Sequence, residues 1–544
     1  MTAVTTTRSA RPTATVSPSP FTGTGLLLRL YLRRDRVILP VWSIVLGLLP
    51  LVYGKAIAGL YTTEAQRAAF VTSTSAIKSE IALVGPIFGS STGALTTWRA
   101  GYLFTFLAVA AILTVVRHSR AEEEAGRTEL LGSTAVGRYA GPVAALLVAG
   151  IGVAGASILG AVGLISLGAG VTGSVAYGAA AFGAGAVFIG VAAVAAQVTI
   201  GARAARGIGF AFLAAAFALR TVGDAGSGVL SWLSPIGWAQ QVRPFADERW
   251  WVLLLPAVTT VVLVSVAGAL LAHRDLGAGL VAERLGPARS PASLSGPVGL
   301  AWRQQRGQLV AWTIGMVLFA LVIGGAAHGV GDQLGGNELV TQALERLGGS
   351  RAIEDSFVAM AFTLFGLAAG AYTISATLHL HDEEDSGRAE NMLATAVGRV
   401  RWAVSHLGFA LAGPAVALAS AGLVTGVVYG AAVGDVGGQV PRMLAAALVQ
   451  VPAVWLLTGI TVTVFGLLPR LAAAVWAVFG TMLALYVFGM VADLPAPLLD
   501  LVPFLHLPRL PGGEFRWAPI VWLLLIAAGL IATGLAALHR RDLR

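Results

Sequence analysis

Seventeen consecutive residues of this chain occur in two copies, and each copy lies between two long apolar runs. The first reads Glu122-Glu123-Glu124-Ala125-Gly126-Arg127-Thr128-Glu129-Leu130-Leu131 and continues to Thr134-Ala135-Val136-Gly137-Arg138. The second reads Glu383-Glu384-Asp385-Ser386-Gly387-Arg388-Ala389-Glu390 and continues to Thr395-Ala396-Val397-Gly398-Arg399. One offset of 261 (387 − 126) aligns positions 122–138 without a gap, and ten of the seventeen residues are identical. A charged passage flanked by apolar runs is a loop between two spanning helices. Its repetition makes the chain two copies of one membrane unit.

The flanking runs require a bilayer. Of 544 residues, 56% are hydrophobic and only 12% charged, which is too apolar for a soluble globular chain of this length. A spanning helix needs about 20 predominantly apolar residues, and the sequence predicts twelve, six before a linker near residue 285 and six after it. The fold expected is all-α, a polytopic membrane protein with twelve transmembrane helices as two parallel six-helix repeats. The 68 glycines suit helices that approach closely in lipid, though they read equally well as compositional drift. Without cysteine, disulfides, thiolate metal sites and cysteine nucleophiles are excluded. The net charge of +9 fits anchoring on the cytoplasmic side and not nucleic-acid binding.

Taken in order, residues 1–22 are rich in Thr, Ser, Pro and Arg and are expected to form a disordered cytoplasmic tail. The first six-helix half covers 23–276. It begins with Leu26, Leu27, Leu28, Leu30 and Leu32 among Arg29, Arg33, Arg34 and Arg36, a basic amphipathic helix for the inner interface. Arg33, Arg36 and Trp42 match Arg303, Arg306 and Trp312 of the second half at an offset of 270 (303 − 33). Spans are predicted at about 37–54, 101–116, 139–167, 174–198, a fifth ending near Thr221, and 251–272. The segment 55–98 is placed outside. A second outer segment, with Trp232 to Trp238, is expected to dip back into the membrane. Arg117, His118, Arg120, Arg127 and Arg138 gather in one loop, which the positive-inside rule places in the cytoplasm. A linker follows at 277–299, and the second half, 300–544, repeats the plan with spans at about 309–327, 357–378, 402–433, 443–467, 471–491 and 518–538. Each half closes on Arg-Asp-Leu, at Arg274 and at Arg541. Six crossings per half put both copies in the same orientation, with both chain ends cytoplasmic.

Within the duplicated loop, Gly126 and Gly387 stand where one short helix must stop and another begin. On the second short helix Glu129 precedes Leu130 and Leu131, and Glu390 precedes Met392 and Leu393. That presents an apolar patch beside fixed charge, the surface a soluble partner grips. One copy alone reads more simply as a solvated loop whose acids and arginines pair at i,i+4, as Glu123 with Arg127. Two matching copies in otherwise divergent halves favour docking.

These motifs carry a resemblance. A loop after the second span reading acidic-acidic-x-x-Gly-Arg-x-Glu and ending Thr-Ala-Val-Gly-Arg resembles the coupling-helix loop of type-2 ABC exporter permeases. Ser234-Pro235-Ile236-Gly237-Trp238 and the Arg-Asp-Leu endings are similar to that family too. Two fused halves resemble in particular the permeases of tetronasin-type polyketide-antibiotic and multidrug exporters. The resemblance runs from about residue 24 to the end. It implies export of hydrophobic compounds across a bacterial plasma membrane, driven by a separate cytoplasmic ATPase, a homodimer, which binds the ATP and Mg. The implied docking residues are Glu122, Glu123, Gly126, Arg127, Glu129, Leu130, Leu131 and Arg138, with Glu383, Glu384, Gly387, Arg388, Glu390, Met392, Leu393 and Arg399 in the second copy. Pro503 to Pro511 lacks the Ser-Pro-Ile-Gly-Trp motif, which puts a re-entrant segment in the second half in doubt.

The chain has no Gly-x-x-x-x-Gly-Lys-Ser/Thr loop to cradle phosphate, so neither a cofactor nor catalysis is expected in it. His379, His381, Asp382, Glu383 and Glu384 look like metal ligands, but Arg120 stands where the second copy has His381, and no metal is expected. Gln197, Gln450 and His406 are candidates for the substrate cavity, although such residues more often bond helix to helix. Arg220, Asp224 and Asp493 lie near span ends and are expected at the outer interface. A proton-coupled secondary transporter is the alternative function. It needs an acid near the middle of a span, where the sequence has none.

Overall fold

The computed structural model describes residues 19–76, 78–275, 277, 279–280, 296–334, 350–488 and 495–541, and no strand occurs among them. Twelve helical segments among the described residues are long and apolar enough to cross a membrane. The chain divides into two compact units, 1–285 and 286–544. The tail at 1–18, most of the linker at 281–295, and Asp493 lie outside the described residues.

In the first unit the helix Thr24–Arg34 buries Leu27 and Tyr31 against Ala140, Ala144 and Val148, while Leu26 and Leu30 face outward. That split is the amphipathic pattern of an interfacial helix, with basic heads beside an apolar face. The spans are Ile38–Leu60, Thr92–Glu124, Ala140–Ser166, Val171–Val198, Ala202–Ala225 and Trp250–Ala272. Their small inward residues, Ala108, Ala149, Ala180, Ala184 and Ala192, form the core. Large residues such as Leu254, Val258, Val261 and Val262 point out, as befits helices solvated by lipid tails. Lipid is as apolar as these side chains, so close packing and not expulsion of water holds the bundle.

The second span starts nine residues before the predicted Gly101. Ser91 accepts a hydrogen bond from the Ala94 amide (3.1 Å) and so caps a helix beginning at Thr92, whose Ala94, Leu95 and Trp98 are buried. At this end of the unit Trp98 donates to the Gly85 carbonyl (2.7 Å) and Gln240 to that of Val84 (2.7 Å). Arg220 and Asp224 depart from the expectation of an outer interface. Arg220 is 1% exposed, donates to the Leu83 carbonyl (2.9 Å) and lies 3.5 Å from Asp224, which accepts from Ser231 (2.5 Å). The pair is held inside because its partners, on Lys78–Val84 and Leu230–Leu233, fold over it.

The second unit carries the spans Pro297–Gly325, Glu354–Asp385, Arg399–Val433, Val436–Leu467, Pro469–Tyr486 and Trp517–Arg540. The interfacial helix and first span, separate in the first unit, are here one helix, Pro297–Leu334. Asp35 ends the helix in the first unit, and Gln305, a better helix former, stands at the matched position. Gly422, Gly426 and Gly430 form a ladder on the helix Arg399–Val433. A Cβ there would come within 2.8 Å of Ala447 Cβ, 2.7 Å of Val440 Cα and 2.6 Å of Val436 Cα. At these positions glycine is a packing requirement, which compositional drift does not explain. Val502, Phe504 and Leu507, around the single turn Pro503–His506, are buried in the unit's core although this segment lacks the Ser-Pro-Ile-Gly-Trp motif.

Candidate functional site

The two copies of the loop share one backbone device. The second span of the first unit runs on through Arg120–Glu124, turns at Gly126 (φ 70, ψ 0) and resumes as the short helix Arg127–Gly132. In the second unit the helix Ser350–Asp385 turns at Gly387 (φ 69, ψ 3) into Arg388–Leu393. Both glycines hold the left-handed conformation that costs an L side chain about 1–2 kcal/mol.

Behind the turn, the acids face into the protein. Glu122, 6% exposed, accepts two hydrogen bonds from Arg127 (2.7 and 2.8 Å) and one from Arg34 (2.9 Å), which ties the loop to the interfacial helix. The pairing raises the Arg127 guanidinium above its ordinary range. Burial, and secondarily Glu122, pushes the Tyr31 phenol up to about 12. Glu123 accepts from Arg274 at 2.9 and 2.6 Å and also pairs with Arg120. Arg120 in turn donates to the Thr199 carbonyl. Glu124 takes the Ala202 amide (2.9 Å) at the start of the fifth span. Arg138, at the far end of the loop, donates to the carbonyls of Leu271 (2.6 Å) and Arg274 (2.5 Å). Nearby, Asp35 takes His118 (2.6 Å) and Arg117 (3.1 Å).

The second unit repeats the wiring with other residues. Glu384 pairs with Arg541, and Arg399 donates to the Arg541 carbonyl (2.5 Å). Arg541 also donates to the Phe465 carbonyl (2.9 Å). In both units, therefore, the arginine of the Arg-Asp-Leu ending grips the second acid of the loop, and the last arginine of the loop grips the end of the final span. Glu383, 3% exposed, is held by Gln304, by Trp402 Nε1 (3.3 Å) and by His406 (3.5 Å). His406 Nδ1 meets Gln305 Nε2 at 3.0 Å, and the His406 ring lies 5.6 Å from that of His379.

This geometry corrects one part of the sequence reading. Glu122, Glu123, Glu383 and Glu384 are not offered to a partner as surface charges, because intramolecular cations and donors surround them. Nor does Glu123 pair with Arg127, whose guanidinium turns to Glu122. What remains outward is the short helix itself: Leu130 is 73% exposed, Arg127, Glu129, Arg388 and Glu390 are exposed, and Leu131, Met392 and Leu393 are half-buried. Gly126 and Gly387 are half-buried at the corner, Arg138 is exposed and Arg399 half-buried.

The three cavity candidates part company. Gln197 lines a cavity of about 280 Å³ with Val115, Leu146 and Leu271, and its Oε1 accepts from Arg274 Nε (2.7 Å). His406 is a brace for Glu383, and Gln450, 3% exposed, sits beside Gly366, its Oε1 without a hydrogen-bond partner among the described residues. Among the described residues no group of three or more His, Asp or Glu side chains is arranged to hold a metal ion. The residues that sequence reasoning missed are Arg34, Asp35, Gln304 and Gln305, and the roles of Arg274 and Arg541. For the last two a signal was present in the matched Arg-Asp-Leu endings, which showed a motif without its partner.

Comparison with known proteins fits a permease. The family described as multidrug efflux system permease Rv1217c, C-terminal domain, matches residues 26–274 and 294–539, and each matched stretch contains one copy of the loop. The multidrug efflux system permease protein Rv1217c of Mycobacterium tuberculosis is 50% identical over 539 residues, 98% of this chain and 98% of that protein. With that coverage, and with twelve membrane-spanning segments, the chain belongs to the family of this multidrug efflux permease and is a multi-pass membrane protein.

Proposed function

We propose that this permease exports hydrophobic compounds, drug-like molecules or polyketide antibiotics, using energy from a separate cytoplasmic ABC ATPase. The ATPase, a homodimer that binds the ATP and Mg, docks on Arg127–Gly132 and Arg388–Leu393. Both chain ends and both loops then lie in the cytoplasm of a bacterial cell, and the two units are parallel copies. The observation that carries the reading is the division of labour within each loop. An outward helix, its apolar residues exposed at Leu130 in the first loop and half-buried at Met392 and Leu393 in the second, is fastened from behind by buried ion pairs to the end of the last span of its own unit. A loop built only to connect spans needs no such fastening. A loop that receives a push does, since a push is delivered to the spans only through rigid contacts. Purification of the full chain from its own host's membranes tests the reading. A co-purifying chain that carries a phosphate loop, and whose ATP turnover rises with an exported compound, supports it. A chain that exports in a proton-dependent, ATP-independent manner defeats it.

A further inference from the structure

We propose that the cavity at the loop end of the first unit is a binding site for an exported compound, taking an uncharged, mostly apolar moiety with one hydrogen-bonding group. This deepens the efflux reading and rests on it. The cavity, about 280 Å³, lies between the second, third, fourth and sixth spans, and its walls include Val115, Leu146, Ala193, Gln197, Gly268 and Leu271. Among the described residues no formally charged side chain lines it. Its size is close to the lower end for small-molecule sites, which are mainly apolar with a few placed polar groups.

The polar group is placed. Gln197 is 4% exposed and is held by Arg274 at its Oε1, while among the described residues its Nε2 makes only a long bond (3.4 Å) to the Ala193 carbonyl of its own helix. The amide can therefore donate to an occupant without giving up its tie to Arg274. That same guanidinium grips Glu123 of the loop. A molecule bonded to Gln197 is thus joined through Arg274 to Glu123, on the segment Arg120–Glu124 that precedes the proposed docking helix. A structural lipid requires no such connection, which favours an exported compound as the occupant. Gly268 gives a means of filling the space, since a Cβ there meets no atom within 4 Å.

The test uses the full chain, alone in detergent, and a diazirine-bearing aliphatic alcohol as the probe. Peptides covering Leu146 and Gly268 are expected to take the label, and G268L is expected to reduce it by about tenfold, as steric loss of an apolar subsite does. G529L, at an outward glycine of the last span whose Cβ also meets nothing, is the control and is expected to label as the unaltered chain does. On the unaltered chain, Nile red is expected to displace the probe and added phosphatidylcholine is not. Labelling that ignores both G268L and Nile red, or that yields to phosphatidylcholine alone, overturns the proposal. Because the ATPase is not needed for labelling, a positive result here together with no ATP-dependent transport would fault only the energy source.

Discussion

Arg274, at the end of the sixth span, donates two hydrogen bonds to Glu123 of the duplicated loop, at 2.9 and 2.6 Å, across 151 positions of sequence. Both side chains are almost wholly buried, 2% and 8% exposed. Removing Arg274 leaves the buried Glu123 carboxylate to Arg120, and removing Glu123 takes away the carboxylate that both arginines share; loss of one partner from a buried pair costs about 3–5 kcal/mol. E123A and R274A are each expected to lower the thermal midpoint of the purified chain substantially. The double variant should lose less than the two losses added, with a coupling of about 0.5–3 kcal/mol. Strict additivity in the thermal midpoints would mean that the two groups do not act as a pair.

The corner glycines make a second case. At φ 70 and 69, Gly126 and Gly387 have open space where a Cβ would go, so the cost of a side chain is conformational only. G126A and G387A are expected to cost about 1–2 kcal/mol each, and G126N less than G126A, since asparagine visits this conformation more readily. Equal midpoints for the alanine and asparagine variants would show that the turn does not depend on the left-handed corner.

Packing in the second unit gives a sharper contrast. Gly426 and Gly408 lie on the same helix, but a Cβ at Gly426 would sit 2.7 Å from Val440 Cα, and one at Gly408 meets nothing within 4 Å. G426A should destabilise by about 1–3 kcal/mol through overpacking. G408A should be neutral or stabilise by about 0.4–1 kcal/mol through the unfolded chain. Thermal unfolding of the two variants side by side decides it, and a loss at 408 to match that at 426 would contradict the glycine ladder.

Much of the architecture was legible because membrane spans are set by local composition. The predicted third, fourth, sixth and ninth spans lie within a few residues of Ala140–Ser166, Val171–Val198, Trp250–Ala272 and Arg399–Val433. The loop was legible because it is duplicated. What the sequence hid was direction. Glu122 and Glu123 look like surface acids when read beside Glu124 and Arg127, and only folding brings Arg34 and Arg274 to them. Arg220 looked peripheral because its position near a span end says nothing of the segment that closes over it. Phe504 gave no motif at all, since an aromatic inserted into a core needs shape and not a signature. His406 was read as a cavity residue because a lone histidine in an apolar helix carries no mark of its partner, Glu383, which is twenty-three positions away in the chain (406 − 383 = 23).

The outward helix separates stability from assembly. Leu130 is 73% exposed, so L130A should change stability by no more than about 0.5 kcal/mol. Combined with M392A it is nonetheless expected to weaken association with the proposed ATPase, read as reduced recovery of ATP hydrolysis with the purified permease. Unchanged recovery would remove the apolar tip from the docking surface.

The central claim is that a foreign subunit covers these two short helices, and the chain's lack of cysteine makes it directly measurable. In L130C the single thiol should react readily with a maleimide in the isolated permease. Once a complex with the proposed ATPase is assembled, the thiol should be protected and a bifunctional reagent should join it to the ATPase chain. A thiol that stays equally reactive in membranes actively exporting a compound, with no adduct to any nucleotide-hydrolysing chain, would contradict the account.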